Sequence, residues 1–193
     1  MANTSRINGF RPTKYKSGAP WNGQVNTYHI PASDGTAVYV GDLVKIAGSA
    51  TADGFKPTVA LAAAGDACVG VVVGFAPNRD NLNIGGQYRA ASTARDVLVC
   101  DDPNVLYEVE ASNGTPAVTD VGLNANHAVG TPSTTTATSG AYVDFGTEAT
   151  TAALTLKIHS LIAREDNEVG ASCKLLVSIN NHQFGSSTGT AGV

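Results

Sequence analysis

The sequence has little charge, few aromatic residues and no long apolar run. Asp, Glu, Lys and Arg together make up 15% of the chain, and Phe, Trp and Tyr make up 6% with a single Trp. So little charge argues against a charged disordered chain and against a coiled coil, which both need many Glu and Lys residues. The longest apolar stretch, Val69 to Ala76, is too short to span a bilayer, and the first ten residues do not resemble a signal peptide. We therefore expect a globular protein that is made and kept in a cytosol and has no membrane partner.

Cysteine is also scarce, and the spacing and neighbours of the three cysteines argue against disulfide bonds, zinc binding and catalysis. Cys68, Cys100 and Cys173 are odd in number, far apart and without a C-x-x-C pair. This pattern predicts three reduced, buried thiols rather than disulfides or a zinc site. Apolar or acidic neighbours raise a thiol pKa, so we do not expect a nucleophilic cysteine.

The sequence lacks the common motifs of catalysis, namely G-x-S-x-G, the P-loop and H-E-x-x-H. Its four histidines are at least 23 residues apart, so a histidine metal site would need distant loops to converge. Three acidic clusters could supply calcium ligands or paired carboxylates: Asp80-Asn81 with Asn83, Asp101-Asp102, and Glu165-Asp166 with Glu168. None has the spacing of a known calcium loop, and turn formation explains all three. We therefore expect no catalytic residue, no metal and no cofactor.

The sequence does contain a succession of short β-type runs separated by turns. The run Cys68–Phe75 predicts a buried central strand, and the alternation over Val105–Glu110 predicts a half-buried one. Between Asp96–Cys100 and Val105–Glu110, the residues Asp101-Asp102-Pro103-Asn104 predict a tight turn, so we expect a hairpin there. About nine or ten such runs predict an all-β fold, a small barrel or sandwich of short antiparallel strands.

The pattern divides the chain into three regions. Residues 1–26 contain several Gly and Pro residues and no periodicity, which predicts an extended N-terminal arm that either lies along its own body or clasps a neighbour. Residues 27–180 form the β-rich body, within which the Thr-rich stretch 112–150 predicts a loop-like insertion with at most one short strand, at Ala141–Phe145. Residues 181–193 carry no charge and three glycines, which predicts a flexible or clasping C-terminal tail.

The charge is unevenly distributed along the chain. Residues 1–33 contain Arg6, Arg11, Lys14 and Lys16 and no acid, whereas the rest contains 8 basic and 16 acidic residues. An acidic body repels phosphates, so we expect no nucleic-acid partner. A basic arm on an acidic body suits docking onto an acidic protein surface. The alternative is a solvated N-terminus with a chance excess of basic residues.

Three segments carry a resemblance to a known family: MANTSRINGFRP at the start, LVCDDPNVLYEVEAS (98–112) and REDNEVGASCKLLVSINNHQ (164–183). They are similar to the capsid decoration proteins, also called cement or head-stabilising proteins, of tailed bacteriophages, and the similarity runs through most of the chain. The resemblance implies a non-enzymatic structural protein of the virion that is assembled in the host cytoplasm. Such a protein binds the outside of the capsid, often as a trimer, and stabilises the lattice of major capsid proteins. The resemblance supplies no catalytic residue and no small-molecule substrate.

The candidate capsid-binding residues lie in the arm, and they are Arg6, Phe10, Arg11, Lys14, Tyr15 and Trp21. We expect the charges to pair with an acidic capsid surface and the aromatic rings to fill pockets as anchors. This interpretation requires termini that are free to grip adjoining subunits, and it predicts that a protein without residues 1–25 still folds.

Two other functions stay open at this point. A tail- or fibre-associated module that recognises host carbohydrate would need exposed aromatic residues, for which Tyr88, Tyr107 and Tyr142 are the candidates. A hydrolase would act through the acidic loops, for example through Asp101 and Glu165.

Overall fold

The fold is described from a computed structural model over residues 3–77, 87–186 and 188–192. This part of the chain contains thirteen strands and one short 3-10 helix, Val118–Asp120. The strands are β1 (Arg11–Tyr15), β2 (Asn26–Ile30), β3 (Val38–Tyr39), β4 (Leu43–Ala50), β5 (Pro57–Leu61), β6 (Gly70–Phe75), β7 (Tyr88–Arg89), β8 (Arg95–Cys100), β9 (Val105–Ser112), β10 (Asn124–Ala128), β11 (Tyr142–Ala149), β12 (Leu156–Leu161) and β13 (Lys174–Ile179). The protein is all-β, as the short alternating runs predict.

Five strands from the first half close a barrel in the order β2-β5-β4-β6-β8, which we call barrel A. Strands β2 and β8 pair antiparallel along their length, whereas β2 and β5 are parallel and share a single pair, His29 with Thr58. The interior is filled by Tyr28, Ile30, Val38, Val44, Val59, Val69, Val72, Val97 and Val99. Valine and isoleucine favour extended backbone, so the residues that fill this core also favour its strands.

The second half forms another closed ring, which we call barrel B. Its strands pair in the order β9-β11-β10-β12-β13, and β13 returns to β9. Along β9, the side chains of Val105, Tyr107, Val109 and Ala111 alternate into one buried apolar cluster. Strand β1 pairs antiparallel with β9 as a sixth strand outside the ring.

The two barrels share an apolar seam. Leu43, Val71 and Cys100 belong to strands of barrel A, yet their side chains join the cluster that fills barrel B. At the start of β6 the approach is so close that a Cβ on Gly70 would lie 2.1 Å from the carbonyl oxygen of Cys100. Only glycine fits there, which explains the glycine that begins this valine-rich strand.

Two predictions about this part of the chain are wrong. Strands β8 and β9 do not form a hairpin, because β8 pairs with β2 and β6 whereas β9 pairs with β1, β11 and β13. The turn at 101–104 instead connects the two barrels, and Asp102 stabilises it by accepting a 2.7 Å hydrogen bond from the amide of Asn104. The stretch 112–150 is not simply loop-like, since it contains β10 and β11 of barrel B.

The N-terminal segment has no regular secondary structure over residues 3–10, and it lies against its own body. Phe10 is 1% exposed and belongs to the core cluster of barrel B, and Tyr15 and Trp21 pack against that cluster. The large apolar residues among the N-terminal Gly and Pro residues therefore complete this protein's own core. Removal of residues 1–25 would take Phe10 out of the core of barrel B, so the expectation that a protein without these residues still folds is wrong.

The C-terminal segment is bound in the same way. The amide of Gln183 donates a 2.9 Å hydrogen bond to the carbonyl of Cys68, and its side-chain oxygen accepts one of 2.8 Å from the amide of Ile46. Further along, the amide of Gly192 donates to the carbonyl of Thr150. The expectation of free termini is therefore wrong for the described residues.

All three cysteines are buried and unpaired, as their spacing predicts. Within the described ranges, no helix has the length and apolar character needed to cross a membrane.

Candidate functional site

The N-terminal segment and the outside of barrel B enclose a cleft of about 390 Å³, which we call the N-terminal cleft. Its charged lining residues are Arg6, Arg11, Glu108, Arg164, Asp166 and Lys174. Arg6 precedes β1, and Arg11 is the first residue of that strand. The others come from β9, from β13 and from the loop between β12 and β13, so distant parts of the chain build this site.

A buried carboxylate fixes the N-terminal segment beside the cleft. Glu110 is 2% exposed and accepts hydrogen bonds of 2.7 Å from the hydroxyl of Ser5 and from the amide of Arg6. It also forms an ion pair with the ammonium group of Lys174. Burial by itself would raise the pKa of Glu110, but the bonds from Lys174, Ser5 and Arg6 outweigh burial and lower this pKa. Glu110 is therefore ionised at neutral pH.

Two further contacts hold the same segment. The side-chain amide of Asn3 donates to the carbonyls of Glu168 (2.8 Å) and Ala171 (3.0 Å), and its oxygen accepts a 2.8 Å bond from the amide of Glu168. The ammonium group of Lys174 also donates to the carbonyl of Arg6 at 2.8 Å. The backbone around Arg6 is thus fixed on both sides.

The cationic side chains of the cleft fall into two groups. Arg164 pairs with Glu108 at 2.9 Å and with Asp166 at 3.5 Å, and Lys174 pairs with Glu110. In contrast, the guanidinium groups of Arg6 and Arg11 form no hydrogen bond or ion pair with any described residue, and both residues are exposed. The cleft therefore carries uncompensated positive charge.

The six arm residues predicted to bind a partner divide between surface and core. Arg6, Arg11 and Lys14 are exposed, and Lys14 likewise has no partner among the described residues. Phe10 is buried in barrel B and cannot serve as an anchor for another protein, which corrects the prediction for this residue. Tyr15 and Trp21 are half-buried against the same barrel.

The residues on the barrel B side of the cleft could not be recognised as site residues from the sequence. Glu108 and Glu110 lie on the polar side of the alternating run in β9, which was the only signal available. Nothing in the sequence indicated that this side faces Arg6, Arg164 and Lys174.

A second group of polar side chains lies on barrel A. The Nδ1 atom of His29 lies 2.8 Å from one carboxylate oxygen of Asp96, and the ammonium group of Lys56 lies 2.5 Å from the other. Partial burial raises the pKa of Asp96, but the bonds from Lys56 and His29 outweigh it and lower this pKa. The adjoining cleft of about 560 Å³ includes Pro77, which directly precedes residues 78–86 outside the described part, so we assign this group no role.

Two of the three acidic clusters contain carboxylates that have structural partners. Asp101 accepts hydrogen bonds from Asn26 and, at 2.6 Å, from the hydroxyl of Tyr28. The cluster of Asp80, Asn81 and Asn83 lies outside the described residues. Over the described ranges, no three His, Cys, Asp or Glu side chains are grouped so that they could hold a metal ion.

The aromatic residues considered for carbohydrate binding do not form one exposed cluster. Tyr107 is 1% exposed and donates a 3.1 Å hydrogen bond to the carbonyl of Cys100. Tyr88 stacks on Tyr39 with ring centroids 4.7 Å apart. Tyr107 is therefore too deeply buried to stack against a sugar ring.

Fold and cleft together define an all-β protein of two small barrels with uncompensated basic side chains at its N-terminal segment. Comparison with models of protein families, with curated protein sequences and with solved structures found no match.

Proposed function

We propose that this protein is a non-enzymatic capsid decoration protein, which binds the outer surface of a tailed-phage shell and stabilises the lattice of major capsid proteins. The observation that carries the proposal is the set of cations Arg6, Arg11 and Lys14, which are exposed and have no side-chain partner among the described residues, on a body that is otherwise acidic. These residues follow one another along the N-terminal segment, which includes one of the three stretches that resemble the decoration proteins. An acidic shell surface is the partner that complements them.

The proposed mode of binding differs from a grip by free arms. The basic side chains project from a segment that Glu110, Asn3 and β1 fix to barrel B. A fixed backbone loses less conformational entropy on binding than a free arm would. If the protein contacts two shell subunits at once, its binding energy stabilises the assembled lattice, and many copies make a modest affinity per site sufficient.

The test is co-sedimentation of the purified protein with expanded, empty phage heads that lack it. The wild type should sediment with the heads, and a variant with Arg6→Gln, Arg11→Gln and Lys14→Gln should lose at least tenfold in affinity. Added salt should weaken wild-type binding, because exposed charges are screened.

A matched control separates the basic segment from net charge. The substitutions Ser49→Glu, Thr119→Glu and Thr135→Glu lower the net charge by the same three units at exposed positions. This control should still bind the heads. Equal loss in both variants, or no binding by the wild type, would contradict the proposal.

The resemblance also leads us to propose a homotrimer. Light scattering on the purified protein should then give three times the chain mass of 19.6 kDa. If the purified protein is instead a monomer at micromolar concentration, a trimer would form only on the capsid surface.

A further inference from the structure

We infer that the N-terminal cleft binds an extended, carboxylate-bearing segment of a partner protein, with Arg6 and Arg11 as its two anchoring groups. This inference deepens the proposed function, on which it rests for the identity of the partner. The ligand chemistry follows from charge, fixed geometry and the remaining composition of the cleft.

Charge gives the first argument. The cleft region contains four cationic side chains and three carboxylates, and every carboxylate is already paired. Glu108 and Asp166 pair with Arg164, and Glu110 pairs with Lys174. Arg6 and Arg11 have no carboxylate partner among the described residues, so a ligand with two carboxylates would give each of them an ion pair.

Fixed geometry gives the second argument. The amide of Arg6 is bonded to Glu110 and its carbonyl to Lys174, while Arg11 pairs in register with Glu108 in the β-ladder. The backbone positions of Arg6 and Arg11 are therefore fixed before a ligand binds. Preorganisation of this kind lowers the entropic cost of binding.

The residues that line the cleft favour a ligand with carboxylates over a ligand with phosphates. A guanidinium group forms paired hydrogen bonds with either anion. However, Glu108 and Asp166 also line the cleft, and the protein as a whole carries a net charge of −4. A continuous run of phosphates would be repelled by these carboxylates, whereas separate carboxylates can approach the two arginines individually. An acidic peptide is thus the better occupant.

Occupancy can be measured on the full-length protein without any capsid. The probe is a fluorescent peptide with two glutamates separated by three glycines, titrated by anisotropy at low salt, with a dodecathymidylate as the phosphate-bearing comparison. The wild type should bind this peptide more tightly than the oligonucleotide. Arg6→Gln and Arg11→Gln should each weaken peptide binding at least threefold, and together at least tenfold.

Lys16→Gln is the matched control, because Lys16 is an exposed cation of the same segment that does not line the cleft and is not one of the proposed capsid-binding residues. Its peptide affinity should stay within twofold of the wild type. Equal loss in all three single variants, tighter binding of the oligonucleotide, or no peptide binding by the wild type would overturn the inference. If peptide binding behaves as expected while the heads are not bound, the cleft chemistry stands and the capsid is excluded as the partner.

Discussion

Barrel A and barrel B have the same number of ring strands but build their cores differently. The core of barrel A is almost entirely Val and Ile from its own strands, together with Val38 from the short strand β3 beside them and Val69 just before β6. The core of barrel B also takes in Phe10 from the N-terminal segment and side chains from barrel A across the seam. Barrel A is therefore largely self-contained, whereas barrel B depends on parts of the chain far away in sequence.

This difference explains why the N-terminal segment has two roles. One side chain, Phe10, completes the core of barrel B, while Arg6, Arg11 and Lys14 on the same segment face solvent. The apolar contact positions the charged groups, so stability and binding are coupled through a few residues.

The largest expected effect is that of Phe10→Ala, which tests whether barrel B depends on the N-terminal segment. Loss of this fully buried ring should lower the free energy of unfolding by about 4 kcal/mol, because it removes buried surface and leaves a cavity. Denaturant unfolding at pH 7 measures the change. Phe55→Ala is the control, since Phe55 is 83% exposed, and it should change stability by less than about 0.5 kcal/mol. Similar losses in both variants would show that Phe10 is not a core residue.

The second prediction concerns a polar contact across the barrels. Asp42, before β4, accepts a 2.5 Å hydrogen bond from the hydroxyl of Ser139, before β11, and a 2.7 Å bond from the amide of Tyr39. Burial nevertheless raises the pKa of Asp42 to about 6. The native state therefore binds this proton more tightly than the unfolded chain does, and the contribution of Asp42 to stability falls as pH rises from about 4 to about 6.

Asp42→Asn should remove this dependence. With the unfolded pKa near 3.8 and about 1.4 kcal/mol per pH unit, the variant should gain about 3 kcal/mol relative to wild type between pH 4 and pH 7. The measurement is the difference between their unfolding free energies at each pH, which cancels the other titrating groups. A difference that is constant over this range would contradict the assignment.

A smaller effect is expected at the contact that fixes the N-terminal segment. Glu110→Gln replaces a carboxylate that accepts from Ser5, Arg6 and Lys174 by a neutral amide. It should lower the free energy of unfolding by about 2 kcal/mol at pH 7. Amide hydrogen exchange should also speed up near Arg6, while barrel A should be unaffected. Since the pKa of Glu110 is lowered in the native state, its stabilisation is lost as pH falls through that pKa, and the cost should shrink in acid.

Ser5→Ala is the milder comparison at the same contact. It removes one hydrogen bond to Glu110 and leaves the ion pair with Lys174, so its cost should be about 1 kcal/mol. A cost as large as that of Glu110→Gln would mean that the hydroxyl, rather than the charge, holds the segment.

The strands that were predicted correctly and those that were missed differ in composition. The runs that became β6 and β9 are rich in β-branched or alternating apolar residues, and their local pattern was sufficient. Strand β1 was missed because it contains Pro12, which is tolerated there at an edge beside a bulge between Pro12 and Lys14. Strand β10, NANHA, has no β-branched residue and is stabilised by its neighbours β11 and β12.

The candidate site was predictable only on one side. The basic residues Arg6, Arg11 and Lys14 stand out in the sequence because no acid accompanies them before Asp34. Their opposing residues Glu110 and Lys174 could not be identified, because the pairing of β1 with β9 and of β9 with β13 brings them to the N-terminal segment from far along the chain.

The sequence by itself determined the all-β class, the reduced buried cysteines and the basic character of the N-terminal segment, because composition and short-range alternation carry these properties. Only the tertiary structure decided that the strands close two barrels, that the turn at 101–104 connects them and that both termini pack on the body. These features depend on which strands pair and which side chains meet across the seam, and such long-range contacts leave no local pattern in the chain.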